Sequence, residues 1–147
     1  MKLKLACADF AFPLLSHDRV LDLIGQASVL LMTSVWYETF GRTIIEAFCK
    51  GTPAIVSRLG AMAELVDEGR TGLLFNPGDA NDLVLKVRTL WHDPACRQRM
   101  RAQCRDKFEQ KYTAAANYRR LMEIYELALE RTIDLPREAD SCVTVGA

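Results

Sequence analysis

The chain has 147 residues, of which 50% are hydrophobic and 26% charged, a composition that fits one soluble globular domain with a sizeable core. Its formal net charge is zero, so no surplus of Lys and Arg favours a nucleic-acid partner. No apolar run approaches the roughly 18 residues of a membrane span, and the start Met1-Lys2-Leu3-Lys4-Leu5 is no signal peptide, so a cytoplasmic protein is expected.

Lys2 to Ala6 alternates at period two, as a strand or a frayed start does. Ser16 offers an N-cap to a helix carrying Val20, Leu21, Ile24 and Ala27 on one face. The continuous apolar run Val29 to Thr33 predicts a strand covered on both faces. A polar and aromatic loop spans Ser34 to Gly41, and a helix is expected from Thr43 to Lys50. Gly51 and Pro53 stop that helix. Ala54 to Ser57 predicts a second buried strand, Met62 to Val66 a short helix, and Gly72 to Phe75 a third strand. Asn76-Pro77-Gly78-Asp79 is a turn. Three helices should follow. The first places Leu83, Val84, Val87, Leu90 and Trp91 on one face. The second is capped by Asp93 with Pro94 at its first position. The third carries Tyr118, Leu121, Met122, Tyr125 and Leu129 as a stripe.

Strands alternating with helices predict an α/β domain: an incomplete Rossmann-like parallel sheet of three to four strands followed by C-terminal helices. The expected division is residues 1–135 as that domain and 136–147 as a loose tail.

The five cysteines, Cys7, Cys49, Cys96, Cys104 and Cys142, are odd in number and contain no CxxC, so neither a disulfide framework nor a zinc cage is indicated. Cys96, Met100, Cys104 and Phe108 fall four apart and predict a buried helical stripe. Only His17 and His92 are present, and neither stands at ligand spacing, so no protein-built metal site is expected. The basic run Arg97, Arg99, Arg101, Arg105 and Lys107 predicts a solvated helix face.

The stretch Glu38-Thr39-Phe40-Gly41-Arg42-Thr43-Ile44-Ile45-Glu46-Ala47 carries the chemistry. It follows a buried strand and opens a helix, which places it at the carboxyl end of a parallel sheet, where open α/β folds bind ligands. Gly41 lets backbone approach a ligand. Free N–H groups around Arg42, Thr43 and Ile44 would favour phosphate. Glu38 and Glu46 each present two acceptor oxygens, which suit vicinal hydroxyls. A nucleotide sugar has ribose and sugar on either side of a diphosphate. Singly, however, each Glu reads first as a solvated side chain or a helix-dipole partner.

The same stretch resembles the E-x7-E signature of group 4 glycosyltransferases, in the group 1 superfamily, with seven residues between Glu38 and Glu46. The resemblance runs on in order through Gly51 to Ser57, Gly60 to Glu64, Gly69 to Phe75, and Pro77-Gly78-Asp79. It is close from about Phe12 to Leu90 and looser beyond. It implies half of a two-domain GT-B fold, the C-terminal donor-binding domain of a retaining enzyme, shortened at its N-terminal side. It implies that Glu38, as the catalytic-site carboxylate, positions the donor sugar with Phe40 and Gly41 and is not assigned as a nucleophile. It further implies that Thr43 and Ile44 offer N–H groups to the diphosphate and that Glu46 binds ribose, while Arg42, where the family commonly has Leu, reads first as a solvent-facing side chain and otherwise as one that reaches a phosphate. No cofactor or metal is implied beyond the nucleotide-sugar substrate. Thr39, Arg42 and Pro13 depart from the family, where Gly, Leu and Gly are common, and Glu64 is given a structural role as a cap of its turn. The family's basic pair has no counterpart before Ser16, and the acceptor domain is absent, so this chain alone is expected to transfer a hexose poorly or not at all. Two other readings remain. One is a non-catalytic donor-binding subunit that works with a separate acceptor-domain partner, or a homodimer through the exposed interdomain face. The other is a folded remnant without a ligand.

Overall fold

The structure is a computed structural model and describes residues 5–6 and 15–133. The chain divides into two compact units, Met1–Thr113 and Ala114–Ala147. In the first unit the elements alternate: β1 (Leu5–Ala6), α1 (His17–Gln26), β2 (Val29–Met32), α2 (Arg42–Cys49), β3 (Ala54–Ser57), α3 (Gly60–Leu65), β4 (Gly72–Phe75), α4 (Ala80–His92) and α5 (Pro94–Lys111). The four strands form one parallel sheet in the order β1-β2-β3-β4. This is the α/β architecture the sequence predicts. The second unit contains α6 (Ala114–Ile133), which by itself displays Tyr118, Leu121, Met122, Tyr125 and Leu129 as the expected apolar stripe. The tail at 136–147, Pro13, Cys7 and Cys142 lie outside the described residues.

The strands are apolar on both faces because helices cover both. Leu30, Ala54, Val56 and Leu74 join Ile24 of α1, Ile44, Ala47 and Phe48 of α2, and Met62 and Leu65 of α3 in one core cluster. The alternate residues Val29, Ile55, Leu73 and Phe75 face Leu90 and Met100 in a second cluster, with Leu83 and Val87 of α4 packed against it. Period-two alternation is what distributes one strand between two cores. The stripe on α5 serves both: Cys96 and Met100 belong to the second cluster, Cys104 and Phe108 to the first. Two residues of the expected α4 face, Val84 and Trp91, fall outside both clusters. Val84 is 47% exposed, because Leu83, Val87 and Leu90 set the centre of the buried arc of α4.

Two helix starts follow the predicted caps, Ser16 and Asp93, and Asp79 of the predicted turn caps α4. Ser16 Oγ accepts from Arg19 N at 3.4 Å, and Asp79 accepts from Asn81 N and Asp82 N. Asp93 accepts from Cys96 N at 2.8 Å ahead of Pro94. The Gly60 turn differs: α3 begins at Gly60 itself, earlier than the predicted Met62.

Two polar expectations are corrected. The basic run on α5 is not a uniformly solvated face. Arg97 and Lys107 are buried, and Arg101 is part-buried. Arg101 donates to Gly25 and Ala27 carbonyls at 3.1 Å each, and Arg105 donates to Cys49 O. Lys107 donates to Leu65 O at 2.7 Å, and Arg97 to the carbonyls of Leu90 and Trp91. These carbonyls end α1, α2, α3 and α4, so α5 supplies a cation to four helix C-termini. The first three have no basic residue in their own last turn. A long apolar stem crossing the core edge with its charged head on unsatisfied carbonyls is favourable. The second correction concerns Glu64, expected to cap the Gly60 turn: its side chain is exposed and takes part in no hydrogen bond among the described residues. A carboxylate closes the following turn, where Glu68 accepts from Leu74 N at 3.0 Å and pairs with Arg58 at 3.1 Å.

Candidate functional site

In a parallel sheet the helices run back against the strands, so helix N-termini gather at the carboxyl edge. The loop after β2 leads into α2 at that edge. Its entry depends on Gly41, which has φ 70° and ψ 42°. A Cβ there would lie 2.9 Å from Leu65 Cδ1 and 3.2 Å from Ile44 Cδ1. Only glycine combines that left-handed backbone with such close packing. The loop before it is pinned by Ser34, whose hydroxyl accepts from Trp36 N at 3.3 Å and donates to Trp36 O at 3.4 Å. Tyr37 packs its ring on Gly60, where a Cβ would meet Tyr37 Cδ1 at 2.9 Å.

Because Gly41 has no side chain, α2 starts without a side-chain cap, as α3 does and unlike α1, α4 and α5. Ile44 N–H, expected to be free, instead donates to Gly41 O at 2.9 Å as the first turn tightens. The N–H groups of Arg42 and Thr43 have no acceptor among the described residues. One further polar group on this edge is unsatisfied: the Ser57 hydroxyl at the end of β3 is buried with no partner. Buried polar groups are nearly always bonded, so the Ser57 hydroxyl is the informative orphan, whereas Arg42 is exposed and Thr43 half-buried, as an open helix start allows.

The two glutamates differ. Glu46 sits one turn into α2 with its side chain 20% exposed, and its Oε1 accepts from Arg42 Nε at 3.0 Å. Glu38 is half-buried in the loop and forms no ion pair among the described residues. Phe40 is 59% exposed beside it. The structure thus places Glu38, Phe40, Gly41, Arg42, Thr43 and Glu46 on one edge. The pairing of Arg42 with Glu46 is absent from the sequence reading, which gives the two residues separate roles, although their i,i+4 spacing is the signal for it. Trp36 and Tyr37, 78% and 79% exposed, enter that reading only as part of an aromatic loop.

Among the described residues no group of three or more His, Cys, Asp or Glu is placed to hold a metal ion. None of the described helices is long and apolar enough to cross a membrane. Among the described cysteines, Cys104 is the fully buried one. Burial pushes its thiol up to about 12 despite the nearby charges of Arg101 and Lys107.

Residues 10–107 match the model of the family described as glycosyl transferases group 1. The chain is 34% identical over 118 residues to the sulfoquinovosyl transferase of Arabidopsis thaliana, spanning 78% of this chain and 23% of that protein. It is 38% identical over 85 residues to the glycogen synthase of Mycobacterium tuberculosis, spanning 58% of this chain and 20% of that one. Among solved structures it resembles sucrose-phosphate synthase from Thermosynechococcus elongatus, with TM-score 0.71 and 28% identity over 80% of this chain and 29% of that one. It also resembles Anabaena HepE in complex with UDP, with TM-score 0.70 and 24% identity over 76% of this chain and 30% of that one. The chain therefore spans about a quarter of the length of the curated relatives named here, and its fold corresponds to half of a GT-B architecture, as expected. With two thirds of its residues inside the family match, the chain belongs to the group 1 glycosyl transferases.

Proposed function

We propose that this chain is the nucleotide-sugar-binding part of a retaining glycosyltransferase that moves a hexose to an acceptor. The observation that carries this is the uncapped start of α2 at the carboxyl edge of the sheet, with a carboxylate one turn along it. Such a helix start offers two N–H groups and the positive end of the dipole to an anion. Arg42 and Thr43 N–H, with the Arg42 guanidinium, meet the diphosphate. Ile44 contributes its packing against Gly41 rather than its engaged N–H. Glu46 accepts from the ribose hydroxyls. Glu38 positions the donor sugar beside Phe40 and the Gly41 backbone. Charge on the departing diphosphate is met by the helix start and Arg42, without a protein-held metal. Transfer itself needs an acceptor held in near-attack geometry, and we assign that task to an acceptor-binding domain or partner chain.

The test is calorimetric titration of this chain with UDP, GDP, ADP and their glucose or mannose conjugates, beside Glu46→Ala. Saturable binding of one nucleotide, weakened about tenfold or about 1.4 kcal/mol in the variant, is expected. Absence of binding to every one of them at millimolar concentration would sink the claim that this chain forms the donor site unaided.

A further inference from the structure

Arg42 stands where helix electrostatics disfavour it. It is the first residue of α2, and no acidic residue accompanies it in that first turn. A cation at a helix N-terminus opposes the dipole. Its pairing with Glu46, with Arg on the N-terminal side at i,i+4, is also the weaker of the two orientations. The guanidinium nevertheless lies on Glu46, Nε to Oε1 at 3.0 Å, with the Arg42 side chain 78% exposed. This is a single contact to one carboxylate oxygen, and in the site proposed above that carboxylate is the ribose acceptor. Arg42 therefore rests on a group that the ligand requires, beside the two N–H groups that await the ligand's phosphates.

We propose that Arg42 exchanges partners when donor binds. The ribose hydroxyls take Glu46, and the released guanidinium swings to the diphosphate over the start of α2. The ligand's anion cancels the unfavourable placement of the cation, and a planar guanidinium forks onto phosphate oxygens. Ribose and phosphate recognition thereby become coupled through one side chain: each makes the other more favourable. The exchange rests on the donor-site reading given above. It assigns to Arg42 what the Leu common at this position in the family cannot do.

The experiment is calorimetric titration of four proteins with UDP, GDP, ADP and inorganic pyrophosphate. The proteins are the wild-type chain, Arg42→Leu, Glu46→Gln and the double variant, each checked for native circular dichroism. Arg42→Leu should weaken both the bound nucleoside diphosphate and pyrophosphate by roughly tenfold, as loss of a charge-assisted phosphate contact does. Glu46→Gln should weaken the nucleotide and tighten pyrophosphate, because pyrophosphate draws Arg42 away without offering Glu46 a replacement. That tightening should vanish when Glu46→Gln is made on the Arg42→Leu background, which separates partner exchange from simple removal of a negative charge. Nucleotide binding untouched by Arg42→Leu overturns the exchange and leaves the donor site standing. A pyrophosphate gain that persists in the double variant does the same. Pyrophosphate responding as described while no nucleotide binds overturns the donor-site reading instead. Binding of neither ligand overturns both.

Discussion

The two edges of the sheet treat the same kind of chemical group in opposite ways. At the amino edge, where α1 to α4 end, α5 brings Arg97, Arg101, Arg105 and Lys107 to terminal carbonyls of those helices. At the carboxyl edge, α2 begins with no side-chain cap, Arg42 and Thr43 N–H lack acceptors among the described residues, and the Ser57 hydroxyl is orphaned. Closing unsatisfied groups with side chains raises stability. The starts of α2 and α3 both lack a side-chain cap, and open donors gathered at one edge suit a ligand that completes them. Stability and binding should therefore respond separately to substitutions on the two edges.

The largest effect is expected where the closed side has no room at all. A Cβ on Gly72 would sit 1.9 Å from the Ala54 carbonyl oxygen and 2.9 Å from its carbon, and backbone cannot step aside as a side-chain tip does. Gly72→Ala should cost more than about 3 kcal/mol, read as a collapse of the urea midpoint. Survival of the midpoint within experimental error would show that β3 and β4 pair less tightly than described. Next comes Lys107→Met. It keeps the apolar stem but removes the donor to Leu65 O at 2.7 Å and the partner of Asp67 at 2.9 Å. Asp67 is 44% exposed on its side chain, so the loss is mainly the buried carbonyl's charged partner, about 2 kcal/mol. Such a substitution should leave nucleotide binding alone. A variant that loses binding but not stability would erase the distinction between the edges. Glu46→Ala should do the reverse. Its exposed pair with Arg42 contributes about 0.5 kcal/mol or less to stability, so the denaturation midpoint should barely move while the titration above weakens tenfold.

Much of this contrast is legible in the sequence, and the part that is not has a physical cause. Strand runs, caps at Ser16 and Asp93, the Asn76 to Asp79 turn, and the stripe Cys96, Met100, Cys104 and Phe108 depend on local pattern, which one sequence displays. The Gly41 entry into α2 is likewise visible as a glycine ahead of a helical run. The α5 cations escape such a reading because their acceptors lie far away in sequence: Arg101 reaches Gly25 and Lys107 reaches Leu65. Charge on a helix reads as solvated until the carbonyls it faces are known. The role of Glu68 escapes that reading for the same reason, since its carboxylate finds Leu74 N only once β4 is in place. Ile44 N–H reads as free because spacing alone does not reveal that the first turn of α2 closes on Gly41 O.

The finest test concerns Cys104, which sits in the closed region and has its thiol within 3.2 Å of Thr71 O. Desolvation by burial raises its pKa from 9.0 to about 12, against the opposing pull of Arg101 and Lys107. Between those values the unfolded chain has lost the thiol proton and the folded chain has kept it. Stability must then fall as pH rises, since the folded state binds more protons. The contribution is fully present below pH 9.0 and lost as pH climbs toward 12. Moving from pH 8 to about 10.5 should erode wild-type stability by about 2 kcal/mol more than that of Cys104→Ala, in urea titrations of both proteins. Parallel curves would mean that water reaches the thiol. The seam between α5 and the end of the Asp67 to Thr71 turn would then be open, and the amino side of the fold would not be the closed surface that the cation-to-carbonyl contacts make it.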